Sequence, residues 1–225
     1  AKPYADAGWK VLLWDAQHEG CILEGFNTLC QWIEDNMDGD RITGLLSAPP
    51  CTDFSRAGAC FWDEKDSGER WWPGEEKDGK LTQYFESTTE RSITLVRIVL
   101  ELVARYRPHF WAMENPTGRI ERLVPELKPY RKMIFDPCDY GDPYTKKTVL
   151  WGEFNSDLPK NPVEPEFKTD RNGNKYSKVH WNTWRLDPSE RKRIRSETPE
   201  GFARAFFKAN HKFVSKQASL FKQAI

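Results

Sequence analysis

Apolar and polar positions along the chain alternate in the manner of an open α/β fold. Residues 9–15, WKVLLWD, form a short apolar run ending in an acid and predict a buried strand. Phe26, Leu29, Cys30 and Ile33 recur at helical spacing and predict a helix over 26–33. Residues 42–47, ITGLLS, predict a second buried strand, stopped by Ala48-Pro49-Pro50. Residues 56–85 carry many charges, Gly and a Pro without a sustained period, and predict a long irregular lid. Ile93, Val96, Val99, Leu100 and Val103 make one stripe of a helix over 87–105. Further strands are predicted at 110–113, running into Glu114-Asn115-Pro116, at 132–135 and at 148–152.

Periodicity is lost over 153–185, and a helix resumes over 199–210, with Thr198 as its cap and Phe202, Ala205, Phe206 and Ala209 on one face. The order of elements predicts an α/β sheet that is mostly parallel, with a short irregular C-terminal appendage. The expected boundaries are a core over 1–152 that includes the lid at 56–85, a region at 153–195, and a returning helix at 196–225.

Composition narrows the class. A chain of 225 residues suits one domain with a small appendage. No apolar run approaches the ~18 residues of a membrane span. A hydrophobic content of 38% with 13% aromatics excludes a collagen-like or wholly disordered chain. The five cysteines, at 21, 30, 51, 60 and 138, contain no CxxC pair. That argues against a disulfide framework or zinc cluster and predicts a reduced, cytoplasmic protein without a metal. The zero net charge hides an asymmetry: residues 1–104 hold 10 Lys/Arg against 19 Asp/Glu, and residues 168–216 hold 13 against 5. The basic portion suits a phosphate-bearing partner or, equally, a solvated helix face with local ion pairs.

In open α/β sheets, ligands bind beyond the carboxyl ends of strands. Three predicted ends stand out: Asp15, the segment Ala48-Pro49-Pro50-Cys51-Thr52-Asp53-Phe54-Ser55, and Glu114-Asn115-Pro116. Cys51 is pinned by two prolines just past a strand. A thiolate beside a carboxylic acid suits addition to an electron-poor ring, with the acid protonating the ring as charge builds. The plainer reading is that a lone cysteine is a buried, inert one and that Glu114 is a capping or ion-paired carboxylate.

Order and spacing together resemble the DNA cytosine-5 methyltransferases. Pro50-Cys51-Thr52-Asp53-Phe54-Ser55 is similar to that family's Pro-Cys-x-x-Phe-Ser, and Glu114-Asn115-Pro116 to its Glu-Asn-Val with Pro for Val. Residues 4–15 resemble the segment whose terminal acid binds the cofactor ribose. The resemblance covers roughly residues 1–152. It implies a Rossmann-like S-adenosylmethionine-dependent methyltransferase sheet and a cytosine flipped out of DNA. Cys51 would attack carbon 6 and Glu114 would bind ring nitrogen 3 and the exocyclic amine. Asn115 would hold the turn, Lys146 would supply a charge, and Asp15, Ala16, Pro49 and Leu95 would hold the cofactor. Leu95 is equally well read as plain helix core. Ser55, Arg56, Lys147, Arg191, Lys192, Arg193 and Arg195 would meet DNA, as duplex or single strand, with the chain acting as a monomer. The host role would be one such as restriction-modification.

The departures are specific. The family's glycine-rich loop, which would precede Tyr4, is not in the sequence, which implies a trimmed chain or poor cofactor binding. The family's Gln-x-Arg-x-Arg falls on Tyr144-Thr145-Lys146-Lys147-Thr148, where Lys146 replaces one arginine without its planar fork. The acid that the family has at the start of the next strand falls at Cys21 or nearby, with Glu19 and Glu24 as stand-ins. The recognition region is short. Asn210 is a weak stand-in for the family's Gly-Asn-x-Val. Phe61, Trp62, Trp71 and Trp72 of the lid suit stacking on bases, but its many acids would repel phosphates unless paired with Lys65, Arg70, Lys77 and Lys80. Two alternatives follow: a non-catalytic relative that binds nucleic acid or a partner, and an amino-methylating enzyme, for which Ala48-Pro49-Pro50-Cys51 lacks the polar and aromatic residues of the usual turn.

Overall fold

A computed structural model describes residues 1–14, 22–23, 25–37, 41–70 and 85–211. Its elements are α1 (Lys2–Asp6), α2 (Phe26–Asn36), β1 (Gly44–Ser47), a 3-10 helix (Arg56–Phe61), α3 (Trp62–Asp66), α4 (Thr88–Tyr106), β2 (Phe110–Pro116) and α5 (Ile120–Leu123). They continue with β3 (Arg131–Phe135), β4 (Thr148–Glu153), β5 (Phe167–Thr169), β6 (Lys175–Ser177), α6 (Lys178–Thr183), α7 (Pro188–Ser196) and α8 (Glu200–Asn210). No helix among the described residues is long and apolar enough to cross a membrane.

The fold is mixed α/β. One sheet has the order β1-β2-β4-β3, and β5 and β6 form a separate hairpin. β1 runs parallel to β2, from Gly44 opposite Phe110 to Ser47 opposite Met113, whereas β5 and β6 are antiparallel. The expectation of a mostly parallel sheet is therefore met at β1–β2 and not in the hairpin. The chain divides into two compact units that cut across the expected boundaries. The first comprises Leu12–Lys132 and Val149–Phe154; the second comprises Ala1–Val11, Met133–Thr148 and Asn155–Ile225.

In the first unit α4 is the organising helix. Ser87 caps it by accepting a hydrogen bond from Glu90 N, and Arg107 ends it in the left-handed conformation, φ 45°. The helix serves two apolar clusters. Val96 and Val99 pack with Phe54, Trp111, Met113, Val149 and Trp151. Ile98 and Leu102 pack with Leu29, Cys30 and Ile33 of α2. β2 is buried along almost its whole length, which is why its sequence reads as a continuous apolar run.

The second unit is held by aromatic packing. Phe135 stacks on Phe202 with ring centroids 3.8 Å apart, and Tyr140 meets Phe202 edge-on. Tyr4 of α1 sits against Trp9 and Phe207. Asn210, the last residue of α8, is fully buried. Its Oδ1 accepts from Asn155 N at 2.8 Å and its Nδ2 donates to the Asn155 and Phe206 carbonyls.

Several sequence expectations are corrected. Residues 9–14 form no strand, because Trp9 packs on Tyr4 and Trp14 on Trp32 instead of joining a ladder; Asp15 lies outside the described residues. The helix expected over 26–33 continues to Asn36. Thr198 does not cap α8; Pro199 occupies that position without a side-chain bond. The segment expected to be an irregular lid is helical over 56–66, while 71–84 lies outside the described residues. The aperiodic stretch 153–185 contains a hairpin turned through Asp170-Arg171-Asn172-Gly173-Asn174, with Gly173 at φ 84°.

Replacing Asn210 with Ala removes its hydrogen bonds to the Asn155 backbone and to the buried Phe206 carbonyl. The expected cost is about 1–3 kcal/mol of unfolding free energy, measured by urea denaturation, against little change for the exposed Arg204→Ala.

Candidate active site

The candidate site lies at the carboxyl ends of β1 and β2. Because Ser47 is opposite Met113 in the parallel register, Glu114 comes immediately after the level at which β1 ends. Cys51 lies four residues past that end. Both side chains are half-buried, so neither is sealed in the core.

Cys51 occupies a tight turn: its carbonyl accepts from Phe54 N at 3.0 Å and Ser55 N at 2.9 Å. Phe54, fully buried, anchors the turn in the apolar cluster below. The turn is also stitched to the end of β2 and the segment that follows it. Asn115 Nδ2 donates to the Pro49 carbonyl at 3.1 Å, Arg119 N donates to the Phe54 carbonyl at 2.9 Å, and Ser55 bridges Gly118. A Cβ on Gly118 would stand 1.8 Å from the Phe54 carbonyl oxygen, so this approach requires glycine.

Under the turn lies a buried polar network. Asp53 has no solvent exposure. Lys65 Nζ sits 3.1 Å from its Oδ1 and donates to the Thr52 carbonyl at 2.9 Å. Thr88 and Ser92, both in the first turns of α4, donate hydroxyl hydrogen bonds to the same carboxylate. The positive end of the α4 dipole faces this acid as well. Beside it, Arg119 donates through Nε to the Asp53 carbonyl and forms a two-pronged pair with Asp66 at 2.6 and 2.7 Å. Its guanidinium lies 4.5 Å from the Trp62 ring centroid.

The sequence offered Lys65 as a partner for acids of the lid and not for the buried Asp53, and Arg119 was not singled out. The available signal was the cluster Ser87-Thr88-Thr89 with Ser92 at a helix start, more hydroxyls than one cap needs. The lid aromatics also have other work: Trp62 takes Arg119, and Phe61 takes the Arg70 guanidinium at 3.9 Å. Arg70 pairs with Glu64, as the sequence allowed.

No protein-family model matches the sequence, and no curated protein matches it. Among solved structures, the chain is similar to an E. coli protein described as a "putative DNA modification methyltransferase encoded within prophage". The identity is 16%, the TM-score is 0.35, and the match covers 66% of this chain and 38% of that one. The matched part thus spans little more than a third of that protein. The chemistry of the present chain rests on its own residues.

Of the residues expected to be catalytic, Cys51 lies in the loop after β1, and Glu114 and Asn115 lie in the last residues of the neighbouring β2. Lys146 belongs to the second unit, where it is half-buried and its backbone N donates to Asp136 Oδ1 at 3.0 Å. Of the cofactor candidates, Asp15 and Ala16 lie outside the described residues. Pro49 is half-buried, and Leu95 is buried on α4. Two buried polar atoms at the strand ends, Ser47 Oγ and Asn115 Oδ1, have no hydrogen-bond partner among the described residues. A polar small molecule seated there would satisfy them, so the site fits such a cofactor. No group of three or more His, Cys, Asp or Glu among the described residues is arranged to hold a metal.

The residues expected to meet DNA are dispersed. Ser55 is half-buried in the Cys51 loop, and Arg56 and Lys147 are exposed. Three residues of the basic cluster on α7 have structural bonds: Arg191 donates to the Leu186 carbonyl, Arg193 pairs with Glu197, and Arg195 donates to Thr183 Oγ1. The Lys192 side chain is outside the description.

Removing one partner of a buried ion pair costs about 3–5 kcal/mol, whereas an exposed pair contributes about 1 kcal/mol or less. Lys65→Met is therefore expected to destabilise the fold far more than Arg70→Met, as read by urea denaturation. Partial burial raises the Asp66 pKa, but hydrogen bonds from Arg119 and Thr89 and the charges of Arg119 and Arg122 outweigh it, leaving the net value below that of an ordinary aspartate. A depressed carboxylate stabilises the fold above its unfolded pKa of about 3.9 and loses that effect as pH falls through its folded pKa. The stability gap between wild type and Asp66→Asn should shrink between pH 7 and pH 3.

Proposed function

We propose that the protein methylates carbon 5 of cytosine in DNA through a covalent adduct on Cys51. The observation that carries this reading is the placement of two half-buried groups, Cys51 and Glu114, on linked segments at the ends of neighbouring parallel strands. Cys51 and Glu114 sit on segments joined directly by the Asn115–Pro49 hydrogen bond. The fold would be a variant of the Rossmann-like methyltransferase sheet, and the resemblance of the Pro-Cys-x-x-Phe-Ser and Glu-Asn segments supports the assignment.

The roles follow from the chemistry. Cys51 Sγ bonds to carbon 6 of a cytosine taken out of its stack. Glu114 holds ring nitrogen 3 and the exocyclic amine, so that the electron pair displaced by the sulfur is stabilised on the ring and carbon 5 becomes nucleophilic. When bound, S-adenosylmethionine supplies the methyl group that carbon 5 takes. Loss of the carbon-5 proton to a base then expels the Cys51 thiolate and restores the ring. Asn115 fixes the turn that carries Glu114. Pro49 and Leu95, with Asp15 and Ala16, are the residues proposed to hold the cofactor, and the unpartnered Ser47 Oγ and Asn115 Oδ1 supply further polar contacts. Ser55, Arg56 and Lys147, with the basic residues of α7, are proposed to contact DNA.

Trapping tests the proposal. On DNA containing 5-fluorocytosine, the fluorine replaces the proton that must leave, so the adduct persists. With S-adenosylmethionine present, the wild-type chain is expected to give a covalent protein–DNA species that is absent in Cys51→Ala. Glu114→Gln should lower turnover by about 10²–10⁴-fold while leaving the unfolding transition in place. Wild-type turnover in Glu114→Gln would remove that residue from the mechanism. Methyl groups on the exocyclic amine would favour the amino-methylating alternative, and neither adduct nor methylation would favour a non-catalytic binding protein.

A further inference from the structure

The second unit carries aromatic side chains that its own core does not use. Tyr176, Trp181 and Trp184 are 40%, 38% and 64% exposed. Lys168 is directly opposite Tyr176 in the β5–β6 register, and residues directly opposite in an antiparallel pair share a face. The Lys168 ammonium lies 5.2 Å from the Trp181 ring centroid, which puts Trp181 beside that same face. Trp184 follows three residues later at the end of α6, on the same side of the turn as Trp181. Three exposed rings on one short hairpin–helix segment, one of them beside the Lys168 ammonium, suit a binding partner.

The surrounding charge identifies the partner's sign. Residues 167–185 hold five Lys/Arg against one acid, Asp170. Asp170 is turned into the hairpin, accepting from Asn172 N, Asn174 N, Asn174 Nδ2 and the Tyr176 hydroxyl. Lys178 is paired with Glu166. Lys168, Arg171, Lys175 and Arg185 are exposed and form no ion pair among the described residues. An apolar protein surface docking here would bury these like charges at a cost, whereas a polyanion neutralises them and releases counterions.

We infer that the face built from Lys168, Tyr176, Trp181 and Trp184 binds an unpaired polynucleotide strand, its bases stacking on the rings and its phosphates meeting the flanking Lys and Arg. Flat rings stack on bases only where base faces are open. A duplex offers phosphates and base edges, so the aromatic row selects unpaired strand. The inference deepens the proposed DNA substrate by naming its form, and it gives these four residues a role that Cys51 chemistry does not need.

The test uses the whole chain and fluorescence anisotropy of labelled oligo(dT). This probe contains no cytosine, so its binding is independent of methyl transfer. Wild type should bind it more tightly than a duplex of equal length. Trp181→Ala/Trp184→Ala should weaken binding about tenfold or more. The milder Trp184→Ala alone, at the most exposed of the three positions, should weaken it measurably without disturbing the fold. Lys168→Ala should lower the salt slope by about 0.7. Equal or tighter binding to duplex, or unchanged oligo(dT) binding in both tryptophan variants, would overturn the inference. So would a concentration-dependent dimer that disappears in the double variant, since a second copy would then own the face. Oligo(dT) binding without any Cys51 adduct would sink the methyl-transfer reading and spare this one; an adduct with tryptophan-independent oligo(dT) binding would do the reverse.

Discussion

A carboxylate shut away from water must find its charge partner and its hydrogen bonds inside the protein. Asp53 meets that demand with Lys65 from α3 and Thr88 and Ser92 from α4. The requirement links three parts of the sequence that have little else in common: the loop after β1, the start of the charge-dense segment, and the first turns of the longest helix. Removing any one of them leaves the other two holding an uncompensated polar group. The loop that carries Cys51 is thus positioned from beneath by charge rather than by apolar packing alone.

The same loop is positioned from the side by backbone. The Phe54 carbonyl receives Arg119 N, Pro49 receives the Asn115 amide, and Gly118 lets the two chains touch. Arg119 joins the side and the base of the arrangement, since its guanidinium reaches both the Asp53 carbonyl and Asp66. In the proposed reaction Cys51 and Glu114 act on one ring, and such fixed mounting favours it, because correct mutual placement contributes much of the rate in bimolecular reactions. Cys51 and Glu114 remain half-buried while their immediate neighbours Asp53, Phe54 and Asn115 are fully buried.

Much of this was legible in residue order, for reasons that differ by element. β2 was readable because burial along its length leaves an unbroken apolar run, and α4 because its stripe repeats at helical spacing. The motif segments around Cys51 and Glu114 were read as lying at strand ends, which β1 and β2 match, and their chemistry is the proposal. The hairpin was not, because all three residues of β5 are exposed and show no alternation toward a core, even though Asn172-Gly173 announced a turn. Residues 9–14 misled because this apolar run is neither paired nor buried: Leu13 is exposed and the aromatics pack only partly. The burial of Lys65 and Arg119 was not legible, because whether a charge is buried depends on residues far away in the chain.

The two roles of α4 have a further consequence. Its opening turns hold Asp53, and its later turns pack into both apolar clusters of the same unit. The ends of helices ordinarily fray at little expense, but here fraying would release a buried acid and with it the Cys51 turn. The amides of that turn therefore share the fate of the core: their protons should exchange with solvent only when the whole unit opens, which makes the reactive corner one of the most slowly breathing parts of the chain.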